Sequence, residues 1–130
     1  MAERDFFGAE ANFDHVGLVV HSIAESACPT REIFTDDIQK VRVAFLNAHG
    51  ARIELIEPLN ETSPLWQSLK EGRKLVHLAY RVPNLEQAMQ RGRKGGFHCI
   101  MRPVPATAFQ KKKIAWVFHK KLGLFELIEE

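Results

Sequence analysis

The chain has 130 residues, which is enough for one compact domain and too few for two ordinary ones. Hydrophobic residues make up 45% of it and charged residues 26%, a composition typical of globular proteins and not of disordered or fibrous ones. The net charge of +2 argues against a nucleic-acid-binding domain, and no apolar run approaches the roughly 20 residues that span a bilayer.

The first residues and the cysteines indicate in which cellular compartment the protein is expected. Met1-Ala2-Glu3-Arg4-Asp5 is charged and lacks the apolar stretch of a signal peptide. Cys28 and Cys99 show no metal-type spacing. We therefore expect a cytoplasmic protein with free thiols.

The first half of the chain predicts mainly strands. Phe13 begins a β-branched run, and Cys28-Pro29 leaves room for at most about two helical turns after it. Asn47-Ala48-His49-Gly50 indicates the turn of a hairpin. Ser63 and Pro64 are typical of the N-cap and first position of a helix, here ending near Lys70. The strands are expected at 13–20, 31–36, 41–47 and 51–57.

The second half has the same order of elements. A strand is expected at 75–82, followed by a helix at 85–94 that Pro83-Asn84 opens and Gly95-Gly96 stops. Three strands then follow, at 98–103, 113–119 and 122–128, the last two joined by a turn at Lys120-Lys121.

The two halves are also similar to each other in sequence. HVGLVV at His15 matches HLAYRV at His77, and IELIEP around Glu54 matches FELIEE around Glu126. Each half therefore opens with a strand that carries His and closes with a strand that carries Glu. This indicates one domain, 1–130, built from two modules at about 13–62 and 75–130. The first half is shorter where its helix should be, so we expect that helix to be vestigial.

The repeated pattern points to a metal site. Alternate side chains of a strand face opposite ways, so Glu54 and Glu126 each face away from an apolar pair. A carboxylate on a buried face is costly unless it is paired. One divalent metal ion bound by His15, Glu54, His77 and Glu126 would offset the cost of burying both carboxylates. This ligand set suits Zn, Ni, Co, Fe or Mn, and spacing alone does not choose among them.

At these residues the chain resembles the vicinal-oxygen-chelate superfamily, which includes glyoxalase I and methylmalonyl-CoA epimerase. FDHVGLVV, RIELIEPLNETSP and IAWVFHKKLGLFELIEE carry the resemblance, and ELIEPLNETSP is most similar to the epimerase-like members. The resemblance implies an α+β fold in which two βαβββ modules form a U-shaped mixed sheet around the metal, with the first module's helix shortened. It also implies that His15, Glu54, His77 and Glu126 hold the metal.

The function implied is that of a metal-dependent lyase, isomerase or epimerase. Its substrate is a small molecule, such as an acyl-CoA or another carbonyl compound, from which a proton is removed beside a metal-chelated carbonyl. By resemblance to glyoxalase I, Glu126 is the candidate base and Glu54 the second choice. Three alternatives stay open: a glyoxalase I-like lactoylglutathione lyase, a non-catalytic binding protein of the bleomycin-resistance type, and an iron-dependent ring-cleaving dioxygenase.

Some features depart from the epimerase pattern or lie outside it. Val76-His77 replaces an adjacent histidine pair, and residues 103–109 replace a loop that contains glycine and histidine. The gap left by the short first helix is expected to be filled by Phe6 and Phe7 or by a second chain, and a homodimer is favoured. Arg81 is a candidate partner for a substrate carboxylate or for the site's glutamates. Glu57 and Glu129 are expected at solvent or an interface.

Overall fold

The computed structural model describes residues 4–26 and 32–130. Their secondary structure is mainly β, with two α-helices and a short 3-10 turn at Thr107–Phe109. The strands are β1 (Asn12–Val19), β2 (Phe34–Asp36), β3 (Val41–Ala48), β4 (Ala51–Pro58), β5 (Leu75–Val82), β6 (Phe97–Ala106), β7 (Lys112–His119) and β8 (Gly123–Glu129). The helices are α1 (Trp66–Lys70) and α2 (Leu85–Lys94). The predicted α+β class is confirmed.

Each half of the chain forms the same four-strand arrangement. Read from its His-bearing strand outward, the first half has the strand order β1-β4-β3-β2 and the second half has the order β5-β8-β7-β6. The His-bearing strand pairs in parallel with the Glu-bearing strand in both halves, β1 with β4 and β5 with β8, while the remaining pairs are antiparallel. The predicted duplication is therefore present in the topology as well as in the sequence.

Helix α2 occupies the predicted residues. The side chain of Asn84 accepts a hydrogen bond from Gln87 N at 3.0 Å and so caps the first turn. A second cap comes from Glu129, whose Oε2 accepts a hydrogen bond from Leu85 N at 2.9 Å. Glu57, the matching residue of the first half, accepts one from Ile23 N at 2.8 Å. Both glutamates, expected at solvent or an interface, thus satisfy backbone donors at the start of the inter-strand segment.

The segment between β1 and β2 has turns and no helix among its described residues. As far as residue 26, this agrees with the predicted shortening of the first helix. The predicted end of that helix at Cys28-Pro29 and the predicted start of the 31–36 strand lie outside the described residues. The described part of that strand is β2. Among the described residues of this segment, Ile23 is buried against Ala44 of β3 and Leu55 of β4.

Helix α1 starts later than predicted. Leu65, not Ser63, is at the N-cap position, and no side chain caps the helix. Ser63 instead begins the preceding turn: its carbonyl accepts a hydrogen bond from Trp66 N, and its Oγ accepts one from Leu65 N at 3.3 Å. Ser and Thr side chains stabilise such turns as well as helix starts, which explains the error.

Strand β6 extends beyond the predicted residues at both ends, and its pairing with β7 is irregular near Pro103. The pairing with β7 shifts register between Cys99 and Met101 and again between Met101 and Val104. Such bulges occur where proline interrupts an edge strand, and β6 is the last strand in its order. The pairing then resumes through Pro105 to Ala106.

The described residues pack into two compact units. One contains residues 4–14, 78–106 and 111–130, and the other contains residues 15–26, 32–77 and 107–110. The core of the first unit is aromatic-rich and includes Phe7, Phe97 and Phe125. The second unit has two smaller clusters, one around Leu55 and one around Ile56. That residues 1–130 form a single domain stays a prediction.

The N-terminal segment packs against residues of the second half of the chain. Phe7 is 6% exposed and lies in the core with Phe97 and Tyr80. Its ring fits because residue 92 is Gly, where an added Cβ would be 3.0 Å from Phe7 Cε1. The expectation that Phe6 and Phe7 fill the first-helix gap is therefore wrong. No helix in the described parts of the chain is long and apolar enough to cross a membrane.

Candidate metal centre

Three predicted ligands converge within one compact unit. His15 lies on β1, Glu54 on β4 and His77 at the boundary of that unit on β5, and all three are buried. The Nε2 atoms of the two histidines are 3.2 Å apart. Glu54 Oε1 lies 3.3 Å from His15 Nε2 and 3.4 Å from His77 Nε2. The three ligand atoms thus form a nearly equilateral triangle.

Strand alternation explains why His15 faces this triangle. His15, Gly17 and Val19 are buried, while the residues between them are half-buried. On the neighbouring parallel strand, Glu54 is paired in register with Gly17. The buried face of β1 and the carboxylate of β4 therefore meet, as the alternating pattern of both strands predicted.

The electrostatics of Glu54 reflect its two histidine partners. Burial acts to raise the pKa of its carboxyl, because a charged group loses hydration. Hydrogen bonding from His15 and His77 and the charge on their imidazoles outweigh burial and lower the pKa from 4.5 to about 2. Glu54 is therefore a carboxylate throughout the physiological pH range.

The triangle fits a metal ion in size and in donor chemistry. Nitrogen and oxygen ligands at about 2.0–2.1 Å from one ion are separated from each other by roughly 3.3 Å in tetrahedral geometry, somewhat less in octahedral geometry. The three measured separations of 3.2–3.4 Å match this range. Two imidazoles and a carboxylate are also a donor set that divalent transition metals accept.

Glu126 occupies the equivalent position in the other compact unit. It lies on β8, is 2% exposed, and pairs in register with Ala79 of β5 and Trp116 of β7. The flanking Phe125 and Leu127 are buried in that unit's core. The predicted orientation of Glu126, opposite to its apolar neighbours, is consistent with this packing. Its role as fourth ligand stays a prediction at this point.

Gly17 is a site residue that the sequence analysis did not single out. A Cβ atom at this position would overlap the imidazole of His77 and would lie 2.7 Å from its Nε2. Only glycine lets the ring lie this close to the β1 backbone. A glycine inside an otherwise β-branched strand was the available signal, since such a residue often marks a close approach.

Aromatic residues that the sequence analysis also missed surround the His15 ring. Phe109, in the 3-10 turn, stacks on it with ring centres 5.7 Å apart and planes 18° apart. Phe45 of β3 contacts it edge-on at 5.6 Å. Phe45 is the cross-strand partner of Glu54, which places both side chains on one face of the hairpin. These rings shield His15 from water.

Other candidate residues lie elsewhere. Arg81 Nε is 3.1 Å from Asp14 Oδ1, so the expected pairing of Arg81 with Glu54 or Glu126 is replaced by an ion pair with Asp14. His119 Nδ1 accepts hydrogen bonds from Lys121 N and Leu122 N and stabilises the β7–β8 turn. Cys99 is a free, exposed thiol, as the sequence predicted for its redox state.

Comparison with known proteins now identifies the family. A model of the glyoxalase/bleomycin resistance protein/dioxygenase superfamily matches residues 14–116. The chain belongs to this superfamily. The predicted resemblance is thereby confirmed, and members of the superfamily include enzymes.

Individual relatives of this superfamily member cover nearly its whole length. The uncharacterized protein YqjC of Bacillus subtilis (strain 168) is 32% identical over 127 residues, 89% of this chain and 90% of YqjC. The crystal structure of hypothetical protein BH1468 from Bacillus halodurans C-125 is similar with a TM-score of 0.76 and 26% identity, covering 93% of this chain and 95% of the other. Methylmalonyl-CoA epimerase from Mycobacterium tuberculosis is similar with a TM-score of 0.74 and 26% identity, covering 99% and 92%.

Proposed function

We propose that His15, Glu54, His77 and Glu126 together hold one divalent metal ion, Zn, Ni, Co, Fe or Mn, in an enzyme that moves a proton beside a chelated carbonyl. The observation that carries this proposal is the buried Glu54 carboxylate, whose Oε1 lies within 3.4 Å of both imidazole Nε2 atoms. Glu126 is included because the duplicated IELIEP and FELIEE segments place it where Glu54 stands in the other module.

The chain's own residues then divide the work. When bound, the ion supplies a Lewis acid for a substrate carbonyl and a neighbouring oxygen. His15 and His77 fix its position, and Phe45 and Phe109 exclude water from the His15 side. Glu126 is the proposed base that takes a proton from the adjacent carbon and returns it, with Glu54 as the second candidate. Return to either face of that carbon is epimerisation, and return to the next carbon is isomerisation.

The proposed substrate class is an acyl-CoA thioester or another small carbonyl compound. The similarity to the Mycobacterium tuberculosis methylmalonyl-CoA epimerase over 99% of this chain supports an epimerase-like reaction. A lactoylglutathione lyase uses the same kind of metal chemistry and is the second candidate. A binding protein of the bleomycin-resistance type is a less favoured candidate, because such proteins do not need the buried His15, Glu54 and His77 triangle.

Metal content and isotope exchange test this function together. Protein purified without chelators is analysed for transition metals and then incubated with methylmalonyl-CoA in deuterated water. The proposal predicts about one metal per chain and deuterium at the carbon between the two carbonyl groups. Absence of metal after reconstitution with each of the five ions would refute the metal site. If the protein binds metal but no deuterium is incorporated, methylmalonyl-CoA is not the substrate. The glutathione hemithioacetal of methylglyoxal is then the next substrate to test.

A matched pair of histidine variants makes the metal result specific. His15→Ala removes a proposed ligand, whereas His98→Ala removes an exposed histidine on β6. We expect His15→Ala to lose metal and His98→Ala to retain it. Equal metal content in the two variants would place the metal elsewhere.

We also propose that the protein is a homodimer. Ile33 is 48% exposed and Ile38 60% exposed, and both flank β2, which is at the end of the strand order. Exposed apolar side chains beside an edge strand favour an interface with a second chain. Light scattering coupled to size-exclusion chromatography measures the mass, and a mass of one chain at micromolar concentration would refute the dimer. The cytoplasmic location stays an expectation from the sequence.

A further inference from the structure

One face of the β6–β7 pair is apolar and open to solvent. Phe97 and Val117 are buried in the core of their unit, so the residues next to them, His98 and Phe118, lie on the opposite face of the two strands. His98 and Phe118 are cross-strand partners, and Phe118 is 43% exposed. Ile100, further along β6, is 60% exposed. Two large apolar side chains are therefore left uncovered on a strand pair whose other face is packed.

These exposed residues line a pocket of about 550 Å³ at the turn end of the strand pair. The lining residues are Gly96, His98, Ile100, Phe118, His119, Lys120 and Lys121, and all of them belong to one compact unit. Pockets that take small molecules have volumes of roughly 300–1,000 Å³ and combine apolar walls with a few polar groups. The volume and the lining of this pocket are thus those of a small-molecule site.

The charge at the pocket is positive. Lys120 and Lys121 form the β7–β8 turn, and no described residue of the lining is acidic. Within residues 4–26 and 32–130, neither lysine forms an ion pair. In a two-fold contact between copies of this chain the lysines of both copies would face and repel each other, so a second copy fits poorly. An anion is complementary to this end of the pocket.

The ring of His119 adds an oriented hydrogen-bond donor to the pocket wall. Its Nδ1 accepts hydrogen bonds from the backbone N–H groups of Lys121 and Leu122 at 3.0 and 3.1 Å. A neutral imidazole whose Nδ1 is an acceptor carries its proton on Nε2. That Nε2 lies beside Gly96, where an added Cβ would be only 3.0 Å away. Gly96 therefore leaves room for the ring, and the N–H is oriented before a ligand binds.

We propose that this pocket binds a small amphipathic anion. The apolar body of the ligand contacts Phe118 and Ile100. Its carboxylate, sulfonate or phosphate group lies near Lys120, Lys121 and His119. The inference does not depend on the proposed function, because none of these residues is a candidate metal ligand. Removing the positive charges should weaken only anionic ligands, whereas removing the apolar wall should weaken anionic and neutral ligands alike.

Two fluorescent probes that differ in charge test the proposal on the purified full chain. Anilinonaphthalene sulfonate has an apolar ring system and one sulfonate, and phenylnaphthylamine has the same rings without the sulfonate. Both probes become more fluorescent in apolar surroundings, so titration gives their dissociation constants. We expect the sulfonate probe to bind at about one site per chain. Absence of binding by this probe overturns the proposal.

The role of charge is tested with two double variants. Lys120→Gln combined with Lys121→Gln should lower the affinity for the sulfonate probe about fivefold and leave that for the neutral probe unchanged, as the loss of two charge-assisted contacts at an exposed site implies. The control, Lys111→Gln combined with Lys112→Gln, removes two other exposed charges and should change neither affinity. An equal loss for both probes, or no loss, in the first double variant overturns the proposal.

The role of the apolar wall is tested with Phe118→Thr. Phe13→Thr is the matched control, because Phe13 is 47% exposed and does not line the pocket. Phe118→Thr should weaken both probes about fivefold or more, and Phe13→Thr should weaken neither. Circular dichroism checks that each variant is folded. Unchanged affinities in folded Phe118→Thr overturn the proposal. Light scattering covers the other occupant: if Phe118→Thr, but not Phe13→Thr, abolishes self-association, a second copy covers this face and the proposal is overturned.

Discussion

Gly17 of β1 provides the space that the imidazole of His77 occupies. A Cβ atom on Gly17 would overlap the Cε1 and Nδ1 atoms of that ring. Gly17→Ala should therefore displace His77 from the ligand triangle. We expect metal affinity to fall by about 10- to 100-fold, comparable to the loss of a group that orients a ligand. Competition with a metallochromic indicator measures the affinity.

A second glycine variant controls for the substitution itself. A Cβ on Gly95 would meet Phe6 Cδ1 at 3.4 Å, an ordinary van der Waals distance. Gly95→Ala should leave metal affinity unchanged. If Gly17→Ala binds metal as tightly as the wild-type protein, His77 does not need its observed position and is not a ligand.

Glu126→Gln should separate metal binding from proton transfer. The amide keeps the shape and one oxygen donor of the side chain, but it is a much weaker base than a carboxylate. We expect metal to be retained at reduced affinity, while deuterium exchange into methylmalonyl-CoA falls by about a hundredfold or more. Exchange is followed by mass spectrometry. Exchange at the wild-type rate in this variant would reassign the base to Glu54.

Acid should destabilise the metal-free protein through Glu54. Its folded-state pKa of about 2 lies below the ordinary 4.5, so the carboxylate contributes stability that is fully present above pH 4.5. That contribution is lost as the pH falls from 4.5 towards 2. Urea unfolding across this window should show a smaller decline for Glu54→Gln than for Glu71→Gln, an exposed control. Equal declines would mean that the Glu54 pKa is not lowered in the folded state.

Phe7 should be necessary for stability although it lies near the N-terminus. It is 6% exposed and contacts the rings of Phe97 and Phe125, with centres 4.9 and 6.0 Å away. Phe7→Ala should reduce the free energy of unfolding by about 3–5 kcal/mol, as for other buried phenylalanines. Phe13, 47% exposed, is the control, for which we expect a loss of about 1 kcal/mol or less. Urea titration measures both, and similar losses would show that the N-terminal segment does not pack as described.

Sequence periodicity predicted the second half of the chain well because its signals are local. Pro83-Asn84 and Gly95-Gly96 bound α2 at the predicted residues, since capping depends on side chains next to the helix ends. The predicted start of α1 was wrong because serine is as common in a turn, where Ser63 lies, as at a helix N-cap. The length of β6 was underestimated because prolines are poor strand formers, whereas the pairing with β7 shifts register near Pro103 and then continues through Pro105.

Arg81 shows why the binding partner of a side chain is harder to predict than the face of the strand on which the side chain lies. The sequence suggested a substrate carboxylate or the site's glutamates as its partner, but its guanidinium pairs with Asp14, more than sixty residues earlier in the chain. Glu57 and Glu129 likewise bind the backbone at Ile23 and Leu85, a role that depends on where the following segment leaves the sheet. Long-range partners of this kind are set by tertiary packing and leave no periodic signal in the sequence.

The sequence by itself determined the family resemblance, the duplicated strand order and the identity of His15, Glu54 and His77 as candidate ligands. It could do so because alternation within a strand fixes the face of a side chain, and repetition fixes which faces correspond. Only the tertiary structure brought the three ligand atoms to within 3.4 Å of one another, showed that Gly17 makes room for His77, and placed Phe45 and Phe109 against the ring of His15. These relationships depend on pairing between strands and on a turn that folds back from a distant part of the chain, which no local pattern encodes.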